Sequence, residues 1–196
     1  MRPGGSQVKL KVILLAALAA LTLTATAFAA RAVVIRGTNG NDTLTGTPAN
    51  DIVFARAGDD QVSTLDGNDH VFGAAGNDSI DLGGGNDRAR GGPGNDTILG
   101  GNGNDRLRGR HGDDSLDGGA GADIIHGGYG ADTLQGGDGN DRLFMLANDN
   151  QPDSADCGPG YDKVWVNVAE KQDTYKNCEV VLNVSVTHTQ SEEDDH

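Results

Sequence analysis

Residues 37–144 divide into twelve consecutive nonapeptides without an insertion or deletion. Position 6 of every unit is Asp: Asp42, Asp51, Asp60, Asp69, Asp78, Asp87, Asp96, Asp105, Asp114, Asp123, Asp132 and Asp141. Position 4 is Gly in eleven units, with Ala49 as the exception, and position 8 is apolar throughout, from Leu44 to Leu143. Position 5 is mostly Asn. Three columns held in phase over 108 residues require a repetitive architecture in which each unit stacks on others like it.

The columns dictate local structure. Gly supplies positive φ, so the Gly-rich first six residues predict a tight turn. The last three predict a short strand, with positions 7 and 9 outward and position 8 inward. Thr, Arg, Ser, Asp and His dominate the outward positions. Two nonapeptides then close one flattened coil of two strands and two turns, and coils stack about 4.8 Å apart. Odd and even repeats build separate sheets. The expected fold is all-β, a right-handed parallel β-solenoid with 18 residues per coil.

Composition alone points elsewhere. With 31 glycines and 4% aromatics, the chain is poor in ordinary core material, and without the period it would read as disordered. The net charge of −14 argues against nucleic acid and for cations as partners. The repeats alone hold 18 Asp against 7 Arg.

The nonamer resembles the RTX, or hemolysin-type calcium-binding, repeat G-G-x-G-x-D-x-U-x over about 55% of the chain. The resemblance implies a parallel β-roll with Ca²⁺ between turns of one edge, and it makes the twelve Asp of position 6 the expected metal ligands. Stacking places each Asp beside the one two repeats on, giving ten pairs from Asp42/Asp60 to Asp123/Asp141 and so up to about ten ions. Paired carboxylates repel unless a cation lies between them. Ca²⁺ accepts six to eight oxygens in irregular geometry, whereas Mg²⁺ demands a small octahedron. The five His (His70, His111, His126, His188 and His196) share no column, which argues against a zinc or copper site. The resulting expectation is a chain largely unfolded without Ca²⁺ that folds on binding it.

The N-terminus reads as a signal peptide over 1–30. MRPGGSQVKLK is basic, an apolar run follows, and Ala27–Phe28–Ala29 fits the cleavage rule. A retained membrane anchor is the competing reading of the same run. An exported chain is expected to be secreted, outside the cytoplasm. Beyond Leu143 the period loosens, though Asp153, Asp162 and Asp173 look like further rungs. Residues 145–186 are expected to cap the solenoid, and 187–196 to form a disordered acidic tail. The stretch D-C-G-P-G…N-C-E resembles the end of small secreted members of the family from actinobacteria. Cys157 and Cys178 are the only cysteines; an even count in an exported chain favours a disulfide, against two free or metal-binding thiols.

No H-E-x-x-H or G-x-S-x-G stands in the sequence, so no catalytic role is expected. The expectation is a monomeric calcium-binding solenoid with a structural or surface-interaction role. The alternatives are an adhesive or ice-binding solenoid, or an accessory repeat module of a secreted hydrolase or toxin system. Position 3 mixes Asn, Pro, Ala, Asp, Gly, His and Tyr, which is too irregular for a flat ice-binding array.

Overall fold

A computed structural model describes residues 31–185. The expected signal peptide, the acidic tail, His188 and His196 lie outside the described residues. Within them the chain winds as a parallel β-solenoid. One sheet has nine strands: β1 (Val34–Arg36), β3 (Ile52–Ala57), β5 (His70–Ala75), β7 (Arg88–Pro93), β9 (Arg106–His111), β11 (Ile124–Tyr129), β13 (Arg142–Met145), β15 (Lys163–Asn167) and β17 (Val180–Val184). The other has eight: β2 (Thr43–Thr45), β4 (Gln61–Ser63), β6 (Ser79–Asp81), β8 (Thr97–Asn102), β10 (Ser115–Ala120), β12 (Thr133–Asp138), β14 (Ser154–Asp156) and β16 (Thr174–Lys176). Each strand pairs in parallel with the strand one coil away, as in Leu107↔Ile125 and Ile98↔Leu116. Register cannot slip, because a one-residue shift would turn position 8 out to solvent.

The alternation at positions 7, 8 and 9 is as the sequence requires. Ile98, Leu116 and Leu134 of one sheet and Leu107, Ile125 and Leu143 of the other are buried, one file from each sheet. The strand is longer than the sequence pattern suggests. Eight of the twelve strands that start in the nonapeptides run six residues, through positions 1 to 3 of the following repeat, so there the turn shrinks to positions 4 to 6. The physical reason is that glycine does not interrupt a parallel ladder whose backbone donors and acceptors all find partners: the Gly46 N–H donates to the Ser63 carbonyl and the Gly58 N–H to the Ala75 carbonyl. Period 2 then carries position 1 into the core as well. Ala55, Thr64 and Leu82 occupy it and are fully buried, while other repeats have Gly there.

The solenoid begins before the first repeat and continues past the last. β1 adds a strand ahead of residue 37 and pairs with β3. After Met145, β14 to β17 extend both sheets in the same register. Larger side chains close this end: Phe144 stacks on Trp165 at 4.4 Å, and Val164 and Val166 are buried. Cys157 and Cys178 form a disulfide between neighbouring coils, with Cα atoms 5.2 Å apart. A bond closing a loop of that size contributes about 3 kcal/mol.

Candidate metal centre

The turns gather the Asp residues into two columns, one along each edge of the solenoid. Odd repeats supply Asp42, Asp60, Asp78, Asp96, Asp114 and Asp132; even repeats supply Asp51, Asp69, Asp87, Asp105, Asp123 and Asp141. All ten expected pairs are neighbours. Each Asp backbone N–H donates to Oδ1 of the Asp one coil on, from Asp42 to Asp60 at 2.7 Å through Asp123 to Asp141 at 2.8 Å. The columns run on into the last coils. Asp132 donates to Asp153, Asp141 to Asp162 and Asp153 to Asp173. Asp162 then donates to Glu179, a rung the sequence reading missed because Glu replaces Asp and the nine-residue spacing is lost.

The second carboxylate oxygen separates the twelve into two groups. Oδ2 of Asp42 accepts from the Thr38 N–H and hydroxyl, and Oδ2 of Asp51 from those of Thr47. From Asp60 to Asp141, and again at Asp162, Oδ2 is buried without a hydrogen-bond partner. A buried charged oxygen with no donor is costly and calls for a partner of another kind.

The surroundings of these oxygens are acceptors. A Cβ on Gly100 would lie 2.6 Å from Asp105 Oδ2 and 2.5 Å from the Gly118 carbonyl oxygen of the next coil. At Gly109 the same space is bordered by Asp114 Oδ2 and the Gly127 carbonyl oxygen. Two acceptors thus face one space that only Gly leaves open. Among the described residues no three His, Cys, Asp or Glu side chains converge on one point. Any cation held here would be bound by carboxylates together with backbone carbonyls, a hard all-oxygen shell that fits Ca²⁺. The sites are unequal. Where position 1 is Ala55, Thr64 or Leu82, a side chain fills the space; from Gly91 to Gly136 position 1 is always Gly, so Asp96 to Asp141 form the best-built run.

Burial and the neighbouring carboxylates raise the pKa values. Asp87, Asp96, Asp114, Asp123 and Asp132 are pushed up to about 7, and Asp141 to about 6. Desolvation is the main cause in each; the backbone N–H of the preceding Asp opposes it. A carboxyl with a raised folded-state pKa binds its proton more tightly folded than unfolded, so the fold is favoured below the unfolded value near 4 and loses stability as pH rises toward 7. In chelator, acidification from pH 7.5 to pH 5 is therefore expected to draw the chain toward the β-fold, read as a gain of β-signal in far-UV circular dichroism. The same β-signal at both values would show that these carboxyls are not desolvated in the fold.

Position 5 has a separate task. The Asn68 side-chain oxygen accepts from the Asn86 N–H, and that of Asn86 from the Asn104 N–H, so the Asn column zips the turns together along the edge. This role explains the Asn repetition without a ligand.

The RTX calcium-binding nonapeptide repeat family matches the chain in four copies, over residues 36–70, 56–89, 90–125 and 117–150. No curated protein matches it. The repeats of this family bind Ca²⁺ and are structural rather than catalytic. With the family matched over more than half its length, and with its Asp columns on the edges of a β-solenoid, the chain belongs to the RTX calcium-binding nonapeptide repeat family.

Proposed function

We propose that the protein is a secreted, non-catalytic β-roll that folds on binding Ca²⁺ and presents a rigid surface outside the cell. The observation that carries this reading is the run of buried Oδ2 atoms without donors from Asp60 to Asp141. Eight pairs, Asp60/Asp78 through Asp123/Asp141, have such an oxygen on both members. These pairs, with carbonyls such as that of Gly118, would hold the ions; Asp42 and Asp51, already bonded to Thr38 and Thr47, are structural turn residues first and ligands second. Ca²⁺ supplies positive charge between oxygens that otherwise face one another. The chain's own part is to exclude water from them and to hold the coils in register. At a site affinity of about 10⁻⁴ M and about 1 mM free Ca²⁺, each ion stabilises the fold by roughly 1.4 kcal/mol. Eight such ions together rival the net stability of a whole domain, about 5–15 kcal/mol. Secretion is supported by the Cys157–Cys178 disulfide, which suits an oxidising compartment.

Far-UV circular dichroism of residues 31–196, titrated from chelator into millimolar Ca²⁺ with Mg²⁺ as control, tests this. A cooperative coil-to-β transition with Ca²⁺ alone is expected, with Trp165 fluorescence reporting the last coils. A folded chain in chelator, or an equal response to Mg²⁺, would refute calcium-driven folding.

A further inference from the structure

The net charge of −14 conceals a division between the two sheets. The nine strands of the odd-numbered sheet contain nine Lys and Arg and not one Asp or Glu. The eight strands of the other sheet contain one Lys and four Asp. The difference lies on the outer faces, because positions 8 and 1 of both sheets are buried. Position 7 of the even sheet is a row of Thr, Ser and Gln, whereas in the odd sheet it carries Arg88, Arg106, Arg142 and Lys163.

Arg36 and Arg90 lie over the Phe54 and Phe72 rings at 5.4 and 5.7 Å, yet several of the basic residues are placed against local preference. Arg88 is in register with Arg106, and Arg90 with Arg108, so like charges sit directly opposite on adjacent strands, an arrangement that is destabilising on its own. Arg56 and Arg110 stand at position 2 with φ of 86° and 98°, in the left-handed region that Gly fills in most other repeats. A side chain there costs about 1–2 kcal/mol. Six strand positions therefore hold Arg at sites that cross-strand repulsion or a left-handed φ disfavours. The field of this face is felt locally: burial lowers the pKa of His70 with help from Arg88 and Arg90, and burial brings that of His126 to about 4 with help from Arg108.

We propose that the outer face of the nine-stranded sheet docks a linear anionic polysaccharide, one carrying carboxylate or sulfate groups along its length. Charge complementarity and shape both favour that occupant. Arg grips planar oxyanions through its fork of N–H donors and keeps its charge at all relevant pH values. The coils repeat about every 4.8 Å, so a chain laid along the solenoid axis meets Arg or Lys on six of the nine rungs, β5, β11 and β17 carrying none. The aromatic rings of this face do not act as sugar platforms. Phe54 lies on Phe72 at 5.1 Å and His126 on Phe144 at 4.2 Å, face to face, so the rings cover one another and stiffen the sheet. A six-residue strand is about 20 Å long, and acidic turns bound it on both sides. A single glycan strand fits between those turns. A duplex about 20 Å wide, or a bilayer, would lay its own phosphates over the Asp columns. The screening length near 8 Å lets the face act independently of the distant net charge.

The proposal rests on the sheet and not on the calcium reading, and its test separates the two. Protein whose β-signal is first verified in 2 mM Ca²⁺ and low salt is titrated with heparin, hyaluronate and neutral dextran, using calorimetry. Binding to the two anionic glycans, absent with dextran and weakened tenfold or more by raising the salt to about 0.5 M, is expected. Arg88→Glu/Arg106→Glu/Arg142→Glu is expected to lose at least tenfold in affinity, and the milder Arg88→Gln/Arg106→Gln about threefold; Lys171→Glu, outside both sheets, is expected to change it less than twofold. A folded wild type that binds neither glycan, a Gln variant that binds as tightly as wild type, tighter binding to duplex DNA or phosphatidylserine vesicles, or self-association through the acidic sheet in place of glycan binding would each overturn the proposal. Folding in chelator would refute calcium-driven folding while leaving glycan binding to be measured on the same protein.

Discussion

Gly103→Ala is expected to lower the stability of the Ca²⁺-loaded protein by about 3 kcal/mol or more, while Gly40→Ala, at the same position of the first repeat, is expected to change it by about 0.5 kcal/mol or less. Two effects add at Gly103. Its φ is +126°, where an L side chain costs about 1–2 kcal/mol. A Cβ would also overlap the carbonyl oxygen of Gly85 in the adjoining coil and come within 2.6 Å of its carbonyl carbon. That oxygen belongs to backbone tied into the ladder on both sides, so it cannot yield as a flexible side chain would. Gly40 stands in the first turn, has nothing within 4 Å of its Cβ direction, and has no left-handed φ. Thermal melts of both variants in millimolar Ca²⁺ decide the matter. In a solenoid each coil depends chiefly on its neighbours, so the break at Gly103 should also split the melt into two steps. Equal, small losses in the two variants would mean that coil stacking does not set the Gly column.

This contrast shows what the sequence reveals and what it hides. The strict column of Asp with apolar residues two positions later made the coil, the sheet assignment and the Asp pairs legible, because a period of nine in a parallel stack leaves few arrangements open. The end of the strand was not legible. Gly at positions 1 and 2 looks like turn chemistry, yet Gly100 and Gly101 lie in β8, since a parallel ladder needs only backbone groups. The difference among the Asp residues was equally hidden. Thr38 and Thr47 look like tolerated substitutions until their hydrogen bonds to Asp42 and Asp51 are seen. Glu179 escaped because it is not an Asp and because the steps between rungs in the last coils vary from 17 to 21 residues, which loses the phase. The segregation of charge between the sheets was present in the sequence all along, at positions 7 and 9 of alternate repeats. It disappears in a net charge summed over both faces.

Asp114→Asn is expected to act in opposite directions with and without calcium. The Asp114 Oδ1 accepts from the Asp96 N–H at 2.8 Å, and an Asn side-chain oxygen can keep that bond. Its Oδ2 faces the Gly127 carbonyl oxygen across the space at Gly109, an acceptor against an acceptor. The amide nitrogen of Asn converts that clash into a donor facing an acceptor and removes a carboxyl whose pKa burial has raised to about 7. The metal-free chain should therefore gain β-signal at pH 7.5 and lose part of its response to acidification. In millimolar Ca²⁺ the same change removes a negative ligand from two gaps, Asp96/Asp114 and Asp114/Asp132, and at roughly 1.4 kcal/mol per ion it should cost about 3 kcal/mol. Calorimetry should count about two fewer ions. Asp42→Asn provides the comparison, since its Oδ2 already has donors from Thr38; it should weaken the fold slightly in both conditions and leave the ion count within one. If Asp114→Asn instead destabilised the chelated and the calcium-loaded protein equally, Asp114 would be a turn residue alone. The orphaned oxygens of the column would then need an explanation other than a cation, and the calcium centre would have to be sought elsewhere in the coil.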